Sequence, residues 1–248
     1  ASIRQQFSSA VNIRISLLGI DFLRNLDQHL GIDGDMPAIG LHEGGYLYVA
    51  HEAGMRVLRE NHVLQAQEGA DIALFDPERL AARFPWLNLE DGIAGGSFGS
   101  SGEGWFDGYG LMQAFQKKAR ALGADYRQAE VAEVRREGSR ITGVRLTDGE
   151  VIGCGAFVNA CGAWGARDIA VACGVALPVY AKKRAVFSFT SQQRLHGFPL
   201  LIDTSRVWCR PEGEGYIAGY SPPDDSESDE GRDFDVNWSA FEEVIWPT

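Results

Sequence analysis

The sequence predicts a mixed α/β fold, and three observations predict it. Amphipathic stretches flanked by capping residues read as helices. Short apolar stretches bounded by glycine and proline read as strands between them. One segment, IGCGAFVNACGAWG (152–165), runs from strand-like residues into very small ones and on into a helical pattern. At 248 residues, 45% of them hydrophobic, the chain can bury one large core or two interleaved ones.

The elements follow in chain order. Ile15, Leu18, Phe22, Leu26 and Leu30 repeat at helical spacing with Leu23 beside them, so 13–30 reads as a helix. Ser8 or Ser9 would cap its start and Gly31 would end it. GGYLYVA (44–50) reads as a strand with one buried face, and 52–68 as a second helix stopping near Gly69. Asp76 followed by Pro77 marks a short third helix that ends at Phe84, before Pro85. DGIAGGSFGSSGEGWFDG (91–108) is glycine-dense and irregular, strand-like only around Ile93 to Phe98. Asp107 caps a helix over 108–122, with Phe106 and Leu111 as its staple, and Leu111, Met112, Phe115, Ala119 and Leu122 as its apolar face. Gly123 closes that helix.

Three strands are expected near 130–136, 140–147 and 150–158, the last two joined through the hairpin signal Asp148-Gly149. NACGAWG then carries the chain from strand to helix, with Gly174 as the stop. From 179 to 220 the residues alternate in strand fashion at Val186, Phe187 and Phe189, then at Val207, Trp208 and Cys209, then at Tyr216, Ile217 and Ala218. SPPDDSESDEGRDFD (221–235) reads as an exposed acidic loop, and a last helix begins near Trp238.

Composition narrows the function classes. Lys and Arg number 23 against 34 Asp and Glu, a net charge of −11, which argues against a nucleic-acid partner. No apolar run approaches the roughly 18 residues of a transmembrane helix, and the polar start ASIRQQFSSA is unlike a signal peptide. Cys154, Cys161, Cys173 and Cys209 form no CxxC pair, and no histidine stands at ligand spacing beside them. They read as reduced core residues of a cytoplasmic protein without a metal site.

Four places invite a ligand reading, each beside a plainer one. NACGAWG is the carboxyl end of a strand meeting a helix start, where ligands and anions sit in open α/β sheets, or else a tight turn. Arg4, Gln5 and Gln6 form a dense donor set that suits a carboxylate or the polar edge of a ring, or else a solvated turn. Arg210 ends an apolar strand, as a carboxylate anchor or an edge residue. Tyr46 and Tyr48 share a strand face, as core or as the wall of a site. Neither GxGxxG after a strand nor GxxxxGK[ST] is present.

Taken together, RQQFS, GGYLYVA, FPWL, GWFDGYGL, VNACGAWG and RPEGEGYIAGYSP resemble the FAD-dependent oxidoreductases of the D-amino-acid oxidase superfamily. Sarcosine oxidase, glycine oxidase and dimethylglycine dehydrogenase belong to it. The resemblance implies an interleaved pair of domains, a flavin-binding Rossmann-type one and a substrate domain on an antiparallel sheet. Segments 1–35 and 107–178 would form the first, 36–106 and 179–248 the second. It implies FAD as cofactor, with Val131 at the adenine, Ala160, Cys161, Gly162 and Trp164 along the diphosphate and ribityl region, and Arg4, Gln5 and Gln6 beside the flavin ring. Tyr48 and Arg210 would face the substrate.

The family pattern opens with a strand, a GxGxxG turn and a helix that this sequence lacks, so the flavin domain is incomplete and the chain reads as an internal fragment. The implied reaction is oxidation of the C–N bond of a small amino acid or N-methyl amine, with no general base assigned. A homo-oligomer or an electron-acceptor protein would be the partner. The alternative is a non-catalytic binding or assembly module on the same fold.

Overall fold

The computed structural model describes residues 1–222 and 234–248. In chain order the elements are β1 (Ser2–Ile3), α1 (Ala10–Arg24), α2 (Leu26–Leu30), β2 (Tyr46–Ala50), α3 (Glu52–Gln67), β3 (Ile72–Phe75), α4 (Pro77–Arg83), β4 (Gly95–Gly99), β5 (Gly104–Trp105) and α5 (Gly108–Ala121). They continue with β6 (Val131–Glu137), β7 (Arg140–Leu146), β8 (Val151–Gly153), α6 (Gly162–Ala172), β9 (Val186–Phe189), β10 (Leu200–Ile202), β11 (Val207–Glu212), β12 (Gly215–Tyr220) and α7 (Trp238–Ala240), which passes into a π-helical turn over Phe241–Ile245. The mixed α/β class with several sheets is what the sequence predicts. No helix among the described residues is long and apolar enough to cross a membrane.

The chain gathers into two compact units. The first comprises Ala1–Ala124, Ala185–Ser221 and Asn237–Thr248, the second Asp125–Arg184 and Pro222–Val236. The first is built on a seven-stranded sheet, order β3-β4-β2-β10-β11-β12-β9. It is antiparallel except where β10 runs parallel to β2. Alternation divides its residues between two faces. Leu47, Val49 and Phe98 point toward α4, where Leu80 and Phe84 complete a fully apolar cluster. Phe187, Val207 and Ala218 on the same face meet Ile245. The opposite face carries Tyr46, Tyr48, Leu200, Ile202 and Trp208, packed with Trp105.

The first unit's helices follow local chemistry in part. Asp76 accepts a hydrogen bond from Arg79 N–H at 2.8 Å, and Asp107 one from Tyr109 N–H at 2.9 Å, so both expected caps form. The cap of α1 does not. Ser9 stands at the N-cap position but makes no side-chain bond there, and its buried hydroxyl has no partner. The burial of α1 is also rotated from its expected stripe. Ile13, Ile20 and Leu23 are buried, whereas Ile15 and Leu18 are exposed. On α5 only Ala114 is buried, Leu111 packs against the core, and Met112, Phe115 and Leu122 lie open. Phe115 stacks on Phe22 at 5.6 Å. Periodicity names an apolar stripe but not the side from which packing comes. β3 and β10 are additions to the expected strands. Both are under five residues, too short to show a period.

The second unit holds the three-stranded antiparallel sheet β6-β7-β8 and α6. The Asp148-Gly149 turn forms as expected, with Gly149 at φ 93° and Gly149 N–H bonded to Leu146 C=O. The third strand is shorter than expected. It stops at Gly153, and 154–161 is without strand or helix. Cys154 N–H still bonds to Thr142 C=O of β7 at 3.0 Å, but a buried strand needs hydrogen-bonding neighbours along its length, and no strand among the described residues pairs with 155–158. The four cysteines are free, as expected, but none is fully buried and Cys161 is exposed. The acidic loop expected at 221–235 falls almost wholly on 223–233, outside the described residues.

Candidate functional site

The RQQ loop is the best-organised polar feature of the first unit. It follows β1, which pairs with β5 in the register Ser2 to Trp105. The pairing sets the loop beside Glu103, a fully buried carboxylate. Glu103 Oε1 accepts hydrogen bonds from the Gln5 and Gln6 amides at 2.5 and 3.1 Å, and Oε2 accepts one from Gln6 Nε2 at 2.8 Å. Gln6 Nε2 also donates to Tyr46 C=O at 3.1 Å, and Gln6 Oε1 accepts from Ser97 Oγ at 2.6 Å. Gln5 is buried and donates through Nε2 to Gly102 C=O at 3.1 Å. The two amides are therefore occupied by the protein itself.

Arg4 is different. Its Nη1 donates to Tyr48 Oη at 2.5 Å, while its Nε is buried without a partner. The guanidinium lies 4.8 Å from the Phe7 ring centroid and 5.8 Å from that of Tyr48. Tyr46 and Tyr48 stack with centroids 6.5 Å apart on the sheet face that also carries Trp208. Arg210 belongs to this face too, because it stands two residues along β11 from Trp208. It is nearly buried, 5.2 Å from the Trp105 ring, donating to Pro211 C=O at 2.8 Å and paired with Glu212. Tyr46 feels the positive charge of both Arg4 and Arg210.

Burial sets the protonation states. It pushes the Tyr48 hydroxyl up to about 12, against the opposing pull of Arg4, so Tyr48 keeps its proton. It pushes Glu103 up to about 7, although the hydrogen bonds from Gln5 and Gln6 and the charge of Arg4 favour the anion.

The glycine-dense stretch before Glu103 is explained by contact. A Cβ at Gly99 would collide with the Glu103 carboxylate, and one at Gly102, at φ 71°, with Gln5 Nε2. Gly96 lies against Tyr48 C=O, where a Cβ would stand 2.6 Å from the oxygen. Glu103 is the residue that sequence reasoning missed. Its signal is its isolation as the lone charged residue between Asp91 and Asp107.

The remaining expected residues stand in the second unit. Val131 opens β6 opposite Leu146 and is partly exposed. Ala160, Cys161, Gly162 and Trp164 are all exposed. Cys161 occupies the N-cap position of α6 without a side-chain cap, and no acidic residue lies in the first turn. Asn159 shapes the entry, donating to Ala166 C=O at 2.7 Å and accepting from Cys161 N–H at 3.3 Å. Gly162 adopts φ 65°, with nothing within 4 Å of where a Cβ would be. The Trp164 ring meets Phe234 edge-on at 5.9 Å. No side chain caps the start of α6, where the first-turn N–H groups of a helix have no partner within the helix.

Comparison with known proteins agrees with this architecture. The family described as FAD dependent oxidoreductase matches residues 2–247. FAD-dependent oxidoreductase domain-containing protein 1 of Xenopus laevis is 34% identical over 277 residues, covering 99% of this chain and 55% of its own length. The chain thus spans about half the length of that relative. A 4-methylaminobutanoate oxidase (formaldehyde-forming) of Paenarthrobacter nicotinovorans is 30% identical over 174 residues, covering 68% of this chain and 20% of its own length. Among solved structures, L-proline dehydrogenase from P. horikoshii superposes with a TM-score of 0.78 at 22% identity, covering 98% of this chain and 63% of its own. The chain belongs to the FAD-dependent oxidoreductase family, whose cofactor is FAD.

Proposed function

We propose that this family member is part of an enzyme that oxidises the C–N bond of a small amino acid or an N-methyl amine. Bound FAD supplies the hydride acceptor. The observation that carries the reading is Arg4, a guanidinium on an aromatic sheet face that still has an unpartnered buried nitrogen. A substrate carboxylate satisfies that nitrogen. Tyr48, which accepts from Arg4 and keeps its own proton, donates a second hydrogen bond. Arg210 shares the face, but Glu212 already meets its guanidinium, so we rank Arg4 as the first anchor. Tyr46, Tyr48, Trp105 and Trp208 offer an apolar wall for the carbon skeleton. The names of the proline dehydrogenase and the methylaminobutanoate oxidase point to the same bond type in those proteins.

In this reading segments 1–35 and 107–178 serve the flavin, and 36–106 and 179–248 the substrate. Ala160, Cys161, Gly162 and Trp164 line the diphosphate and ribityl region, and Val131 meets the adenine. The small exposed side chains and uncapped start of α6 fit that role. Arg4 stands beside the ring, with Gln5 and Gln6 holding its loop. No general base is assigned, because a neutral amine can lose a hydride without one.

The test is an absorbance spectrum of the protein expressed from its full gene. Bands near about 375 and 450 nm report bound flavin, and anaerobic loss of the longer band with amino acids or N-methyl amines identifies the substrate class. A folded protein that stays colourless after added FAD would sink the enzyme reading and leave a binding or assembly module.

A further inference from the structure

We infer that Glu103 is a positioning residue for Arg4. Its carboxylate ties down the loop that carries the guanidinium, without itself meeting the substrate.

The inference rests on a balance of donors and acceptors. Three N–H groups converge on Glu103: the amides of Gln5 and Gln6, and Gln6 Nε2. All three belong to the loop, and the nearer amide is one residue from Arg4. Glu103 is fully buried, so no water replaces it as an acceptor. The Gln6 side chain spends its other bonds on Tyr46 C=O and Ser97 Oγ, fastening the loop to two adjacent strands, β2 and β4. Glycine at 99 and 102 leaves the space that the carboxylate and Gln5 fill.

A buried acid is a costly way to hold a loop. What it adds over an amide is capacity. Both carboxyl oxygens accept, Oε1 from two donors and Oε2 from the third. A glutamine in its place still accepts the two backbone amides through its carbonyl but turns its own NH2 toward Gln6 Nε2. An aspartate draws the acceptor back by one methylene, and an alanine leaves the amides dry and unpaired. The substitutions therefore grade the tether without touching Arg4.

The functional half of the inference rests on the reading of Arg4 as a carboxylate anchor, so the experiment separates the two. Amide hydrogen exchange at Gln5 and Gln6 is measured in the full-length holoprotein for wild type, Glu103→Gln, Glu103→Asp and Glu103→Ala. Calorimetric titration with propionate, a small carboxylate probe, accompanies it. Exchange at the two amides should accelerate roughly tenfold or more in Glu103→Asp, and Glu103→Gln should restore most of the protection. Propionate binding should weaken with the loss of protection and return with the glutamine. If Glu103→Ala loses protection throughout its strands it has unfolded, and the aspartate and glutamine variants decide. Unchanged exchange at Gln5 and Gln6 in Glu103→Asp overturns the inference. If exchange responds as expected but propionate binds no form, Glu103 keeps its hold on the loop and the carboxylate reading of Arg4 fails.

Discussion

Two stretches rich in small residues look alike in the sequence and differ in the fold. GGSFGSSGEG (95–104) forms β4 and the approach to β5, and its residues are buried except for Ser100 and Ser101. NACGAWG (159–165) leads into α6, with Ala160 through Trp164 exposed. In the first, glycine is there because other atoms occupy the space of a side chain. In the second, Gly162 has open space around it and is set apart only by its backbone angle. Glycine density therefore says that bulk is excluded, not what excludes it. Protein atoms do so near Glu103, and we assign a flat or charged ligand near Gly162.

The largest expected effect lies on the buried side. Arg4→Met should lower kcat/KM for an anionic substrate by on the order of 100-fold, the loss of a charge-assisted hydrogen bond. Arg210→Met should cost less, because Glu212 already pairs with Arg210. Steady-state kinetics on the full-length protein compare the two. An equal loss in both variants breaks the ranking of Arg4 as first anchor.

Next comes the pH dependence of stability. Glu103 titrates near 7 in the native state, raised by burial from its ordinary 4.5. Between those values the native protein holds a proton that the unfolded chain has released. Its contribution is therefore fully present below about pH 4.5 and is lost as pH rises through about 7. The span corresponds to about 3 kcal/mol. The charged and titratable groups acting on it are Arg4, which favours the anion, and Tyr46 and Tyr48, which burial keeps neutral. Glu43 and Glu68 are lowered by Arg24 and Arg14, so their changes fall at more acid pH. Urea unfolding between pH 5 and 8 should show stability falling toward pH 8, and Glu103→Gln should flatten the slope. A slope unchanged by that substitution would mean that Glu103 does not carry it.

The contrast also shows how much was legible beforehand. Caps at Asp76 and Asp107 and the Asp148-Gly149 turn were readable because each is decided within four residues. The rotation of α1 and the strand β10 were not, because tertiary neighbours decide them. At the candidate site, Arg4, Gln5 and Gln6 stood out as a donor cluster, but nothing local told that the amides would turn inward and the arginine would keep a free nitrogen. Glu103 lies 97 residues from Gln6 in the chain, and only the pairing of β1 with β5 brings them together.

The smallest expected effects come from two alanine substitutions, and they test the glycine contrast directly. Gly99→Ala places a methyl against the Glu103 carboxylate. Overpacking there should cost about 1–3 kcal/mol and loosen the RQQ loop. Gly162→Ala meets no neighbour, but at φ 65° it should cost about 1 kcal/mol through the left-handed backbone alone. The two differ further in FAD affinity of the full-length protein, read by flavin fluorescence. Gly162→Ala should weaken it by more than its small loss of stability explains, because the added methyl stands where we place the ligand. If Gly162→Ala leaves FAD affinity unchanged, the open space at α6 is an ordinary turn, and the two glycine-rich stretches differ only in burial.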